Sequence, residues 1–246
     1  MLVITFTVLG IYSFSSFQIK INNLEIKKSG IRTFFMGDTI PFYASGITLV
    51  AKPKKREIDT TKQRVLLIGD SMLEQLRWRW RDYMIHNGHE MKSVIWYSSQ
   101  SEWYGKYDTL RYFIHDFKPT YVILVLGANE LFVSDIITKR TPFVKRIMEQ
   151  MDTIPYVWIG PPNWKDDTGI NQMIVDNVGT KRYFPSKNLK YKRYGDGAHP
   201  KPESASMWMD SIAVWIMRDS KYPIKLSVPD KKYNNPPNTT ILQPLK

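Results

Sequence analysis

Ser71 closes the stretch "VLLIGDS", where four apolar residues run into Gly69-Asp70-Ser71 and a helical pattern follows in "MLEQL". A serine at such a corner has two readings. It caps the helix with its hydroxyl, or it stands exposed as a nucleophile whose own backbone N–H can stabilise an oxyanion. A serine hydroxyl is a weak nucleophile near neutral pH and needs a base within hydrogen-bond reach. The stretch "YGDGAHPKPES", 194–204, places Asp196 three residues before His199 in a Gly-rich loop. An imidazole titrates in the right range to serve as that base. A carboxylate that accepts its other ring N–H would fix the tautomer. Taken alone, the two residues are equally a capping Asp and a surface His. Asn129, in "LGANE" (126–130), offers a neutral amide donor that can bond a developing oxyanion without protonating it, or it only shapes a turn. Of the four histidines, His86 and His89 fall in a polar "HNGHE" turn and His115 inside a helical stretch. Only His199 has a carboxylate partner in a strand-to-helix loop.

The elements that must position these residues read as alternating strands and helices. "RVLLIG" (64–69), "SVIWYS" (93–98), "TYVILVLG" (120–127) and "PYVWIG" (155–160) are apolar runs of strand length. Between them, Leu73, Leu76, Trp80 and Met84 recur at helical spacing, and further helices are expected over 106–117, 141–151 and 203–218. Such alternation implies a parallel sheet covered on both faces. In open sheets of this kind ligands bind beyond the carboxyl ends of the strands, which is where Ser71, Asn129 and the 194–204 loop fall.

The 246 residues suffice for one domain with extensions, and a hydrophobic fraction of 43% is ordinary for a globular chain. The absence of cysteine excludes disulfides, thiol catalysis and Cys-ligated zinc. A net charge of +12 favours anionic partners. Residues 1–19 carry no charged side chain and suggest a signal peptide or membrane anchor, against the reading of a Thr-rich strand. The lysines that follow, Lys20, Lys27 and Lys28, conflict with export on the positive-inside rule. Residues 20–63 read as a strand-rich extension and a polar linker, with Ile19, Ile21, Leu24 and Ile26 nearly in period two. Residues 64–220 form the main domain, and 221–246, with five prolines, an extended tail.

"LRWRWRDYM" interleaves Arg77, Arg79 and Arg81 with Trp78 and Trp80. Its simplest reading is one helix with a solvated basic face and a buried Trp80, not a base-stacking surface, and no nucleic acid is expected. Trp103, Tyr104 and Trp164 are placed on rim loops, where aromatic faces could stack on a sugar ring. No phosphate loop and no metal-ligand cluster stands out, so neither a cofactor nor a metal is expected.

With these residues in view, the chain resembles the SGNH, or GDSL-type, hydrolases over roughly 64–218. "GDS" (69–71) resembles the family's first block, "GANE" (127–130) its G-x-N-D block, and "DGAH" (196–199) its D-x-x-H block; "YVWIGPPNW" (156–164) is similar to the strand and Pro loop between them. The resemblance implies a three-layer α/β/α sandwich with a parallel, flavodoxin-like sheet, plus an N-terminal extension. It implies a triad of Ser71, His199 and Asp196. The implied oxyanion hole comprises the Ser71 N–H, Asn129 and a backbone donor in the second block. The family's glycine is missing there, so Gln100 is the expected donor and Gly105 its rival. Glu130 stands where the family carries Asp. The implied activity is ester hydrolysis or acyl transfer through an acyl-serine. The favoured substrate is an O-acetylated polysaccharide outside the cytoplasm; a lipid or thioester hydrolase and a non-catalytic glycan-binding module are the alternatives.

Overall fold

The computed structural model describes residues 57–245, together with the backbone of two short strands, Lys20–Ile21 (β1) and Leu24–Glu25 (β2), which pair antiparallel. The apolar 1–19 segment and the rest of the 20–56 extension lie outside the described residues. The chain divides into a unit of residues 1–54 and a unit of residues 55–246.

The core of the second unit is a six-stranded, all-parallel sheet built from β3 (Arg64–Gly69), β4 (Glu90–Trp96), β5 (Tyr121–Val125), β6 (Tyr156–Ile159), β7 (Tyr183–Phe184) and β8 (Thr239–Leu242), in the order β7-β6-β5-β3-β4-β8. Without β8 this is the flavodoxin-like order, with its switch point between β3 and β5. The interleaved helices are α1 (Leu73–Asn87), α2 (Ser101–Lys106), α3 (Thr109–Phe117), α4 (Ile136–Met151), α5 (Ile170–Val178) and α6 (Pro202–Arg218).

The central strands β3, β5 and β6 are apolar on both faces because each face is covered. Val65 and Leu67 of β3 join α1 (Leu76, Trp80, Tyr83) and α6 (Trp208, Ile212, Ile216) in one core. Leu66 and Ile68 join α2 (Tyr104), α3 (Phe113), α4 (Val144, Ile147) and α5 (Met173, Ile174) in the other. Strand period two thus sorts neighbouring side chains into separate cores, and the three layers are α1/α6, sheet, and α2–α5. Helices start where sequence periodicity does not show it: the helix expected over 106–117 is α3, starting at Thr109, the short α2 precedes it over 101–106, and α4 begins five residues before the expected 141.

Two parts differ from the sequence reading. The stretch read as an extended tail contributes β8, which pairs with β4 in the register Ser93↔Thr239 to Trp96↔Leu242. The Trp96 indole donates to the Gln243 carbonyl at 3.0 Å and the Tyr233 N–H donates to Asp82 at 3.1 Å, so the tail is tied along its path. The expected solvated basic face of α1 is largely spent on structure. Arg81 is 6% exposed, paired with Asp82 at 2.7 Å and donating to the Asn235 carbonyl, while Arg79 donates to Asp210 at 2.8 Å.

Candidate active site

Gly69 ends β3 against β5. A Cβ there would fall 1.8 Å from the Val125 carbonyl oxygen, so only glycine permits this approach of the two strands. The chain then turns at Asp70 and Ser71 into α1. The helix N-cap is Met72, and the capping work falls to Asp70: its carboxylate accepts the Met72 N–H at 3.0 Å and, across the switch point, the Ala128 N–H at 3.3 Å. Ser71 therefore does not cap the helix. Asp70 is 1% exposed, and burial pushes its carboxyl up to about 7 against the pull of those two N–H groups.

The Ser71 hydroxyl meets His199. Nε2 lies 2.8 Å from Ser71 Oγ, and Nδ1 lies 2.7 Å from Asp196 Oδ2. Asp196 and His199 occupy the tip of a hairpin in which the Tyr194 N–H donates to the His199 carbonyl and Gly197 takes a positive φ of 69°. Asp196 accepts the His199 ring N–H and the backbone N–H groups of Ala198 and His199, which hold its carboxyl down at about 2. With Asp196 ionised, Nδ1 carries the ring proton and Nε2 is left to accept from Ser71. The cleft here has a volume of about 250 Å³ and is lined by Ser71, Met72, Glu74, Gln75, Tyr194 and Pro200 beside the Asp196–His199 pair.

Asn129 sits in a short 3-10 segment after β5, entered through Gly127 at φ 125°. One amide hydrogen is donated to the Ser99 carbonyl at 3.0 Å, joining this segment to the loop after β4. Gln100 follows with φ −129° and ψ 164°, an extended backbone that any residue adopts, so the missing glycine of the second block costs no strain. Among the described residues the N–H groups of Ser71 and Gln100 have no hydrogen-bond partner within the protein. Gly105 lies inside α2 against Phe143, where a Cβ would meet that side chain at 2.6 Å; it is a packing glycine and not a loop donor.

A residue the sequence did not flag organises this loop. Arg140 of α4 donates from Nε to Glu130 at 2.8 Å, from Nη2 to Gln100 Oε1 at 3.0 Å, and pairs through Nη1 with Glu102 at 2.8 Å. Glu130, fully buried, also accepts the Ser101 N–H and hydroxyl, both at 2.8 Å. Burial raises the Glu130 carboxyl in spite of these donors. The acid after Asn129 is thus an anchor for the Gln100 loop. Its only sequence signal is its place in "GANE".

The rim aromatics divide. Tyr104 is fully buried with its hydroxyl 3.3 Å from the Gly69 carbonyl, and the half-buried Trp103 packs on Trp96 at 5.3 Å; both belong to α2 and not to a loop. Trp164 does line an open trough with Phe132. His89 is structural: its Nδ1 accepts the Gln63 N–H at 3.1 Å and Nε2 bonds the Lys225 carbonyl at 2.8 Å. Among the described residues no group of three or more His, Asp or Glu side chains is placed to hold a metal ion.

Fold and site together define a serine acyl-transfer geometry on a flavodoxin-like α/β/α sandwich. No family model and no curated protein matches the chain. Among solved structures it is similar to the psychrotrophic esterase EstA of a Pseudoalteromonas species, with a TM-score of 0.43 at 16% identity over 61% of this chain and 93% of that one. It is also similar to a family 3 carbohydrate esterase of Clostridium thermocellum (0.45, 15%, 61% and 92%). A third is the catalytic domain of peptidoglycan O-acetyltransferase A of Streptococcus pneumoniae (0.44, 14%, 67% and 99%). At these values the function rests on the site geometry alone.

Proposed function

We propose that the protein is a serine esterase of the SGNH type that removes O-acetyl groups from a polysaccharide, or transfers them, through an acyl-serine intermediate. The observation that carries this reading is the continuous hydrogen-bonded chain Asp196–His199–Ser71 at the carboxyl edge of the sheet. Ser71 Oγ attacks the ester carbonyl while its proton passes to His199 Nε2. The new oxyanion is met by the Ser71 N–H, the Gln100 N–H and the second amide hydrogen of Asn129. Collapse expels the sugar alkoxide, which takes the proton from His199 and leaves acyl-Ser71. Water, deprotonated by the same imidazole, then releases the acid; a second sugar hydroxyl in its place gives transfer.

A short acyl group suits the small cleft, whose walls carry Glu74, Gln75 and Tyr194 in place of an apolar channel. That wall chemistry disfavours a lipid acyl chain. The exposed Phe132 and the half-buried Trp164, both lining the trough, support a sugar as the alcohol part. Export, with 1–19 as signal or membrane attachment, fits an envelope glycan as substrate. Among the described residues no helix is long and apolar enough to cross a membrane.

The test is turnover of nitrophenyl esters of increasing chain length, with a serine-directed phosphonate as label. Acetate is the best substrate and the phosphonate adduct maps to Ser71. Turnover equal to a Ser71→Ala control, with no adduct, rejects the enzyme and leaves the glycan-binding module.

A further inference from the structure

We propose that the glycan is anionic, and that the trough at Trp164 is the subsite for its charged sugar residues; this rests on the esterase reading above. The trough has a volume of about 820 Å³ and is lined by Phe132, Trp164, Lys165, Asp166 and Lys187 among others. Phe132 and Trp164 stand edge to face, with ring centroids 6.4 Å apart. The Lys165 ammonium lies 4.8 Å from the Trp164 centroid and 5.4 Å from that of Phe132, so a cation is held on an aromatic floor. Aromatic faces and a fixed ammonium together suit a sugar ring that carries a carboxylate or phosphate. Of the two acids there, Asp167 is turned to the start of α5: it accepts the N–H groups of Gly169 and Ile170 and the Asn171 amide. Asp166 remains toward solvent.

The trough is joined to the triad. The Trp164 indole N–H donates to the Ala128 carbonyl at 2.9 Å, beside Asn129. Arg193 donates to the carbonyls of Pro162 and Asn163 at 2.6 and 2.8 Å and also to that of Ala198, next to His199. The chain from 187 to 201, which carries both Asp196 and His199, holds five basic residues and no acid besides Asp196. Lys192 and Lys201 are paired through the backbone at the base of the hairpin, the Lys201 N–H donating to the Lys192 carbonyl at 2.8 Å. Among the described residues none of Lys165, Lys187, Lys190, Lys192 and Lys201 has a carboxylate in ion-pair range, while Lys62, Lys92 and Lys106, away from the site, do. Cations left without a carboxylate partner along one surface attract an anionic chain, and a polyanion running from the hairpin to the trough meets all of them.

The test uses the full chain and three O-acetylated polymers matched in acetyl content: a polyuronate, a phosphodiester-linked glycan and a neutral mannan. At low salt, acetate release gives a kcat/KM about tenfold or more higher for one anionic polymer than for the mannan, and the advantage fades toward about 0.5 M salt as the fields are screened. The better of the two anionic polymers identifies the charged group. In the Lys165→Gln/Lys187→Gln protein, with folding checked by its melting curve, the ratio of anionic to neutral kcat/KM falls toward one. Ser71→Ala protein is retarded by the de-esterified anionic polymer in affinity electrophoresis, which reads binding without turnover. A ratio near one at every salt concentration, no retardation, or sedimentation with anionic lipid vesicles in place of polymer binding overturns the proposal. Failure of the esterase reading looks different: wild type leaves nitrophenyl acetate intact.

Discussion

His199 Nε2 lies 2.8 Å from Ser71 Oγ, although the two residues come from opposite ends of the domain sequence. The contact joins the first strand-to-helix corner to the last loop before α6. It assigns separate expectations to the three groups. Ser71→Ala and His199→Ala each lower kcat by about 10⁴–10⁶, and the double variant is no worse than either, because nucleophile and base act as a unit. Asp196→Asn costs less, about 10³–10⁴, since Asp196 is solvent-exposed and water partly replaces it. Asp196 is held at about 2 by the His199 ring and two backbone N–H groups, so it stays ionised across any practical assay range. Protonating the base lowers kcat/KM on the acid side, and the fall persists in Asp70→Asn, which removes the other group at the corner that changes charge near pH 7. The checks are kcat on nitrophenyl acetate for the variants and a kcat/KM profile against pH; a profile flat from about pH 5 to 8 would contradict the His199 role.

Asp70 predicts a pH dependence of stability. Burial lifts its carboxyl from the ordinary 3.8 to about 7 in the folded protein. The folded state then binds one proton more than the unfolded chain between about pH 4 and pH 7. A raised value means that the contribution to stability is complete below the unfolded value and is lost as pH rises through the folded one. Asp70→Asn cannot titrate. Its amide faces one of the N–H groups of Met72 and Ala128 with a donor, so one hydrogen bond is lost at every pH, about 1 kcal/mol or somewhat more. The variant is less stable than wild type near pH 4, and the gap narrows or reverses by pH 8. Melting curves of both proteins across that range give the difference; a constant gap would show that Asp70 does not titrate there.

Much of the sheet and the three reactive groups were legible in the sequence because each is written locally. β3, β5 and β6 are unbroken apolar runs; Ser71 and Asn129 sit just past strand ends, and His199 in a Gly-bearing hairpin before α6. What was not legible depends on distant partners. β7 is two residues long and β8 lies in a Pro-rich tail, so neither has a period to read. Arg81 and Arg140 look like solvated helix cations until Asp82, Asn235, Glu130 and Gln100 are placed around them. Tyr104 and Trp103 lie in a segment of six residues, too short to show helical periodicity in the sequence.

β8 gives a direct check on that tail. Ending the chain after Pro237 removes the carbonyls that accept the Ser93 and Tyr97 N–H groups at 2.8 and 3.0 Å, and it uncovers Trp96, now 4% exposed. The edge passes to β4, a longer strand whose second half, Val94–Trp96, is apolar and whose backbone groups are left unpaired. The shortened protein melts at lower temperature and self-associates, seen by scanning calorimetry and light scattering. An unchanged melting temperature would mean that β8 adds nothing to the sheet.

Arg140 supplies the last expectation, because it is a positioning residue that touches no reacting atom. Removing its side chain leaves Glu130 buried without its ion-pair partner, which costs about 3–5 kcal/mol when one member of a buried pair is lost. It also frees the Gln100 side chain and the Glu102 carboxylate at the start of α2. Arg140→Lys does not restore the site, since one ammonium cannot reproduce three donors fixed in a plane. The loosened loop weakens an oxyanion donor, and loss of one such donor is worth about 10²–10³ in kcat. A purely structural role would lower the melting temperature and leave kcat of the folded fraction intact. In Glu130→Gln/Arg140→Met the buried charges are gone together, so stability returns in part while kcat stays low, because Gln100 still lacks its tether. Recovery of kcat in the double variant would show that the Arg140–Gln100 hydrogen bond does not set the oxyanion hole.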